Sequence, residues 1–277
     1  MAPRGKLIAI GGAENRNHFE KEKLDVLARI LKEMQGGNTV IEIIPTASGI
    51  PTQVGREYDK AFHSLGCKDA AVMNIRRKKD AEKKDFLLRI KNCDGIMFSG
   101  GNQARLSEIF LGTEFLEILK HRYQTEPDFV IAGTSAGAMA QSGKMINGGA
   151  PTEALIRGKA LMINGLGFIN NAIIDSHFVN RGRFGRLMVA VAEHPEMIGI
   201  GISEDTAVVI TEERYLEIIG NGLVVIMDGT QLQYNSVKEG KGKMLNLENM
   251  IFNLFSKGMG YDMQERRSVV AEVVKLG

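Results

Sequence analysis

Between Phe129 and Ala138 the chain reads Phe-Val-Ile-Ala-Gly-Thr-Ser-Ala-Gly-Ala. A short apolar run ends in Gly133-Thr134-Ser135-Ala136-Gly137 and leads into small, helix-compatible residues. That pattern predicts a strand, a sharp turn and a helix, with Ser135 at the tip. Such a turn strains the serine backbone and pushes Oγ outward, while the glycines two positions to either side keep neighbouring atoms clear. The N–H of Ala136 then faces any oxyanion that forms nearby. This is the layout of a nucleophile elbow, and the chemistry it points to is attack of a serine on an acyl group.

A serine nucleophile needs a base, and the base needs an orienting group. Of the five histidines, His18, His63 and His121 lie in polar helical surroundings. His194 precedes Pro195 after a helical segment, where it can cap the last carbonyls. His177 closes the apolar run Ile173-Ile174 ahead of a polar turn and is the favoured base. Glu204 is the first choice for the acid, with Asp205 and Asp175 as alternatives. The order matters: α/β-hydrolases place the acid before the histidine. Between the elbow and His177 the one strong acid candidate is Asp175, too close in sequence to face the imidazole easily, which argues against an ordinary esterase or lipase. Gly100-Gly101 is alone a plain strand-to-helix turn; beside an elbow it becomes a second oxyanion donor through Gly101. Arg181, Arg183 and Arg186, spaced by Gly182 and Gly185, open a helix where positive charge is unfavourable. Guanidinium forks bind carboxylates bidentately, so we read them as a clamp for a substrate carboxylate.

The elements that must position these groups alternate. Strands are expected at Leu7 to Ile10, Thr39 to Ile44, Ala70 to Ile75, Ile96 to Phe98 and Phe129 to Ala132. Helices are expected at Phe19 to Met34, Gln53 to Leu65, Asp80 to Ile90 and Ala104 to His121. Alternation of this kind implies a parallel sheet covered on both faces, with ligands bound beyond the strand carboxyl ends. Gly11-Gly12, Ser99-Gly100-Gly101 and Gly133-Thr134-Ser135 all fall at such ends, so they converge. From Ile198 onward four short strands (Ile198-Ile202, Ala207-Ile210, Tyr215-Ile219, Leu223-Met227) read as an antiparallel addition to the sheet. With no internal repeat or linker, the expectation is one α/β domain over residues 1–277.

At 277 residues, 44% apolar and 25% charged, the chain has the composition of an ordinary globular protein with a substantial core. A net charge of +2 gives no case for nucleic acid or an anionic membrane as partner. The basic run Arg76-Arg77-Lys78-Lys79 meets Asp80, Glu82 and Asp85 and reads as a solvated helix start. The two cysteines, Cys67 and Cys93, form no C-x-x-C pair, and Cys93 reads as packing. Leu7 to Ile10 is too short for a signal-peptide core and no stretch is long enough to span a membrane, so the expected location is cytoplasmic.

Taken together, Phe98-Ser-Gly-Gly-Asn-Gln103, Gly133-Thr-Ser-Ala-Gly137, Gly165-Leu-Gly-Phe168, Asp175-Ser-His-Phe178, Arg181-Gly-Arg183 with Arg186, and Gly201-Ile-Ser-Glu204 resemble the cyanophycinases, serine peptidases related to aspartyl dipeptidase. The resemblance runs in order over nearly the whole chain, and the D-x-H-F-x-x-R-G-R-x-G-R-L segment is its most specific part. It implies Ser135 as nucleophile, His177 as base and Glu204 as acid, with Gln103, Asp175, Ser176, Arg181, Arg183 and Arg186 at positions that shape the substrate pocket. It also implies a flavodoxin-like three-layer α/β/α sandwich shared with class I glutamine amidotransferases, a homodimer, and no metal or other cofactor. The implied substrate is cyanophycin, a poly-aspartate carrying arginine on each side-chain carboxyl and released as β-Asp-Arg dipeptides. One departure stands out: the family has glutamine before the histidine, and here it is Ser176. That removes an amide donor and acceptor, which a serine replaces by recruiting water or by a shifted preference. The competing readings are a dipeptidase acting on short aspartyl peptides and a non-catalytic binding protein of the same fold.

Overall fold

The computed structural model describes residues 1–17, 19–20, 24–34, 36–148, 155–156, 161–240 and 242–270; His18 lies outside them. Its centre is a nine-stranded sheet. Five strands run parallel: β1 (Lys6–Ile10), β2 (Val40–Ile44), β3 (Asp69–Val72), β4 (Gly95–Phe98) and β5 (Val130–Thr134), in the order β1-β5-β4-β2-β3. The register brings their carboxyl ends level: Ile10 pairs with Thr134, Phe98 with Gly133, and Ile44 with Phe98. The three glycine turns therefore leave the sheet along one edge.

Between the strands lie α1 (Asp25–Glu33), α2 (Pro51–Ser64), α3 (Lys78–Ala81), α4 (Lys84–Asn92), α5 (Gln103–Phe110), α6 (Glu114–Thr125) and α7 (Ala136–Met139). Leu27, Ile30, Tyr58 and Phe62 of α1 and α2 pack on Ile8, Ile10, Ile41 and Met97 on one face. Phe110, Phe115 and Leu119 pack on the other face with Leu7, Ala9, Phe98 and Ile131. The alternation of β1 between the two clusters is the period-two pattern of a strand buried on both sides.

Two predicted helices prove to be two each. The expected helix from Ala104 to His121 breaks at Leu111-Gly112-Thr113, where Gly112 has φ +69° and Thr113 Oγ1 accepts from the N–H of Leu116 at 3.3 Å. A left-handed glycine closing one helix and a threonine capping the next is a stop-and-restart signal. The segment expected from Asp80 to Ile90 likewise splits into α3 and α4. Of the helix expected from Phe19, Asp25–Glu33 is formed, and residues 21–23 lie outside the described set.

The late strands also differ from the expectation of one antiparallel extension. After β6 (Lys144–Ile146), β7 (Met162–Asn164), β8 (Ala172–Asp175) and α8 (Phe184–Glu193) come β9 (Ile198–Ile202), β10 (Thr206–Thr211), β11 (Tyr215–Gly220) and β12 (Val224–Asp228). Of these, β10 and β11 extend the main sheet, antiparallel beside β1; after a separate short pair, β13 (Tyr234–Asn235) and β14 (Leu247–Glu248), the strands β16 (Met259–Asp262) and β17 (Arg267–Val270) complete that edge. β9 and β12 join β8 and β15 (Ile251–Phe255) in a separate four-stranded sheet, in which β8 and β9 are parallel. Ile198, Ile200 and Ile202 turn toward the main-sheet cluster, so this second sheet stands where helices cover the rest of that face. The helix α8 packs against its outer side through Leu187, Ala190 and Val191.

Ile200 is fully buried between the two sheets. Ile200→Ala is expected to lower unfolding free energy by about 2–5 kcal/mol, whereas truncating the exposed Leu254 costs about 0.5 kcal/mol or less. Urea titration of both variants checks the layer assignment.

Candidate active site

The end of β1 organises the site. Three successive carbonyls accept hydrogen bonds from three distant segments: Ile10 O from Ser135 N–H (2.9 Å), Gly11 O from His177 N–H (2.7 Å) and Gly12 O from Asp205 N–H (2.9 Å). All three donors have left-handed backbones, with φ of 52°, 48° and 51°. Non-glycine residues there cost about 1–3 kcal/mol each and persist where surrounding contacts over-determine them. Each donor ends a strand crossing: Ser135 follows β5, His177 follows β8, and Asp205 lies between β9 and β10.

The side chains carried by these turns meet. His177 Nε2 lies 2.9 Å from Ser135 Oγ, and His177 Nδ1 lies 2.6 Å from Glu204 Oε1. A carboxylate only accepts, so Nδ1 carries the proton and Nε2 is left to accept from the serine hydroxyl. Of Glu204, Asp205 and Asp175, the carboxylates weighed from the sequence, Glu204 is the one that contacts the ring. Asp205 instead accepts from Asn221 Nδ2 at 2.8 Å. Burial pushes His177 below its ordinary value, Glu204 pulls it up, and the Arg181 and Arg183 guanidiniums push it down, for a net lowering. The imidazole is therefore neutral near pH 7, the form that accepts a proton.

Gly12 explains why the ring sits where it does. A Cβ there would lie 2.3 Å from His177 Cε1 and 2.4 Å from Nε2, so the backbone forms the floor under the imidazole. On the other side of Ser135, a Cβ at Gly100 would stand 3.2 Å from Ser135 Cβ. Gly101 has φ +141° and its absent Cβ would fall 2.1 Å from Ala47 O, so only glycine closes this turn. The Gly100-Gly101 turn therefore flanks the serine, and Ala136 N–H is in the first turn of α7, where helix N–H groups lack intrahelical acceptors.

The proposed arginine clamp is largely internal. Asp175, fully buried, receives Arg186 Nε at Oδ2 (2.6 Å) and Arg186 Nη2 at Oδ1. Arg183 Nη1 donates to Ser176 O at 2.9 Å and to Asp175 Oδ1 at 3.3 Å. The anion that two of the three guanidiniums hold is thus the protein's own. Arg181 remains exposed. Ser176 is fully buried, and its hydroxyl has no hydrogen-bond partner among the described residues. Gln103 Nε2 donates to Ile146 O at 2.9 Å, tying α5 to the strand that leads toward residue 149.

Two residues escaped the sequence reading. Asn180 Oδ1 accepts from Glu204 N–H at 3.3 Å, joining the acid's loop to the histidine's. Glu14 is buried behind Thr134 and accepts its hydroxyl at 2.6 Å. Its signal was an acid two residues beyond a Gly-Gly strand end, but its partner lies 120 positions away. Among the described residues no His, Cys, Asp and Glu group could hold a metal ion, and no helix is long and apolar enough to cross a membrane. Both thiols are buried, and burial pushes Cys93 up to about 12.

Gly12→Ala places a methyl group where the imidazole lies. A misplacement of about 1 Å costs on the order of 100-fold in rate. Expected is a folded protein whose kcat drops by that order, read with circular dichroism on the same sample.

Comparison with known proteins accords with this geometry. The model of peptidase family S51 matches residues 7–218. A cyanophycinase from Geminocystis herdmanii is 35% identical over 271 residues, covering 98% of each chain. One from Trichormus variabilis is 34% identical over 267 residues, covering 96% of this chain and 88% of that protein. The crystal structure of a peptidase from an acI-B1 actinobacterium superposes with a TM-score of 0.68 at 20% identity, covering 97% of this chain and 98% of its own, which shows the flavodoxin-like layered fold. With the family's match spanning most of the chain and near full-length relatives above 30% identity, the chain belongs to peptidase family S51 and is an enzyme of peptide-bond hydrolysis.

Proposed function

We propose that the chain is a serine-type exopeptidase that degrades cyanophycin to β-Asp-Arg dipeptides, with Ser135 as nucleophile, His177 as base and Glu204 as orienting acid. The observation that carries the reading is the unbroken line Ser135 Oγ, His177, Glu204 at 2.9 and 2.6 Å. The substrate is read from the curated cyanophycinases to which the chain is similar.

Ser135 Oγ attacks the scissile carbonyl as its proton passes to His177 Nε2. Glu204 steadies the resulting imidazolium through Nδ1. The N–H groups of Gly101 and Ala136 hold the oxyanion. Collapse breaks the C–N bond, and His177 returns its proton to the leaving amine. A water molecule then gives its proton to His177 and its hydroxide to the acyl carbon; the bond from that carbon to Ser135 Oγ breaks, His177 returns the proton to Oγ, and the acid leaves. Arg181 is the guanidinium free to meet an arginine α-carboxylate of the polymer. Arg183 lies beside it, and Asp175 with Arg186 fixes the floor on which both stand. Gln103 keeps its amide oxygen for a donor of the substrate. Because Ser176 is buried, its hydroxyl shapes the pocket from beneath. The same reading has the chain acting as one domain, as a homodimer in the cytoplasm, without metal.

The first test is insoluble cyanophycin with mass-spectrometric reading of soluble products. Wild type is expected to release β-Asp-Arg, and Ser135→Ala to fold normally and lose at least about 1,000-fold in kcat; an alanine variant that keeps most of its rate sinks the assignment.

Lowering of His177 also sets the pH dependence. The active form is the neutral ring, so kcat/KM should stay on its plateau through pH 7 and fall with acid only below the ordinary histidine value near 6.5. Removing a repelling guanidinium, as in Arg181→Ala, should move that acid limb to higher pH; a limb that stays put or moves to lower pH contradicts the electrostatic account.

A further inference from the structure

Glu14 does nothing in the mechanism above, yet it is among the most deeply placed acids in the molecule. It is 5% exposed, and its partners Tyr58 and Thr134 are 0% and 4% exposed. Its Oε2 accepts the Thr134 hydroxyl at 2.6 Å and its Oε1 accepts the Tyr58 hydroxyl. Arg16 stands over the Tyr58 ring, 5.1 Å from its centroid, and reaches Glu57 at 3.6 Å. An ionised carboxylate taken out of water costs several kcal/mol before its partners compensate, and an apolar residue at that place would not incur this cost. What a satisfied buried polar network contributes instead is fixed geometry.

The geometry at stake is that of the catalytic pair. Thr134 immediately precedes Ser135 and lies level with Ile10 across the β1–β5 pair. From Ile10 the chain runs through Gly11, Gly12 and left-handed Ala13 (φ +51°) and brings Glu14 back over the end of β5. Residues 10–14 are thereby fastened to residues 134–135 at both ends, by Ile10 O to the Ser135 N–H and by Glu14 to the Thr134 hydroxyl. Between these fastenings lie Gly11, whose carbonyl holds the His177 N–H, and Gly12, the floor of its ring. We propose that Glu14 is a positioning residue for the hydrolysis, locking the strand end that seats His177 to the turn that carries Ser135. The inference rests on the catalytic reading given above and deepens it.

Its test compares Glu14→Gln, Thr134→Val, Thr134→Ser and the Glu14→Gln/Thr134→Val double variant, with Ser135→Ala as control. The readouts are kcat and KM on cyanophycin, the rate of Ser135 labelling by a serine-directed phosphonate, and thermal unfolding. Glu14→Gln turns one of the two accepting oxygens into an amide donor that faces a hydroxyl donor. It is expected to lower kcat and the labelling rate together by about 10-fold or more, with KM within about twofold. Thr134→Val should do the same and Thr134→Ser should restore most of the rate. The double variant should be no worse than the poorer single one, because both break one link. Folded Glu14→Gln and Thr134→Val proteins that keep kcat and labelling within twofold, beside an inactive Ser135→Ala, overturn the inference and leave the catalytic reading standing. If Glu14→Gln does not fold, Thr134→Val decides alone by the same criterion. A Ser135→Ala protein that keeps its rate overturns the catalytic reading and this inference with it.

Discussion

The site depends on the carbonyls of Ile10, Gly11 and Gly12. A strand normally ends with its last carbonyls facing solvent or a turn. Here they take the backbone N–H groups of Ser135, His177 and Asp205 in succession. Each of those residues is held in a left-handed conformation that a free chain avoids. The hydrogen bonds and the strain are two sides of one arrangement. The left-handed turn projects each side chain out of its strand line, and the carbonyl fixes where the turn begins. The three acceptors are consecutive, the last residue of β1 and the two glycines after it, so one short stretch of backbone spaces the serine, the histidine and the acid loop. The side-chain distances of 2.9 and 2.6 Å follow from that backbone frame.

Charge around the site is arranged in the same economical way. Three arginines near a histidine would depress its proton affinity and repel one another. Asp175 absorbs most of this, taking both arms of Arg186 and one of Arg183 in a pocket closed to water. The bidentate pair also anchors the first turn of α8 to the end of β8, one residue before Ser176 and two before His177. A positive charge at a helix start, unfavourable in isolation, becomes acceptable once an internal carboxylate faces it. What is left over is a modest excess of positive potential on the open side, carried by Arg181. Burial first, and then that excess, lower His177 against the pull of Glu204, and the open guanidinium suits a substrate bearing carboxylates.

The sequence makes the elbow, the histidine and the glycine turns legible because each is a local pattern: a strand, a turn residue, a polar tip. Local patterns also give the parallel half of the sheet. What it does not show is which side chain meets which across long separations. Arg181, Arg183 and Arg186 look alike on paper, and only the fold shows that Asp175 claims two of them. Glu14 and Thr134 are ordinary residues until β1 and β5 are side by side. The division of the late strands between two sheets is hidden for a similar reason. β9, β10, β11 and β12 are all short, buried and closely spaced, and sheet membership shows only in the pairing: β10 runs antiparallel beside β1 while β9 stays with β8. The missed break at Leu111-Gly112-Thr113 is different: glycine followed by threonine is a visible cap signal, overridden by a long apolar period on both sides.

The unusual chain order of the trio, with the acid after the histidine, has a topological cause in this arrangement. β8 delivers His177 at its carboxyl end, and β9, parallel to it and directly hydrogen-bonded, delivers Ser203, Glu204 and Asp205 at the same level. Parallel neighbours end on the same side, so the residue after β9 reaches the residue after β8 without a long loop. The serine comes from the other sheet, through β5. Ser135 from one sheet meets His177 and Glu204 from the other only if the sheets are held at fixed distance. The fully buried Ile198–Ile202 face packed against the main-sheet core does that. Neither sheet carries all three residues, and the core between the sheets is continuous, with Ile198, Ile200 and Ile202 in the same cluster as Leu7, Ala9 and Ile131.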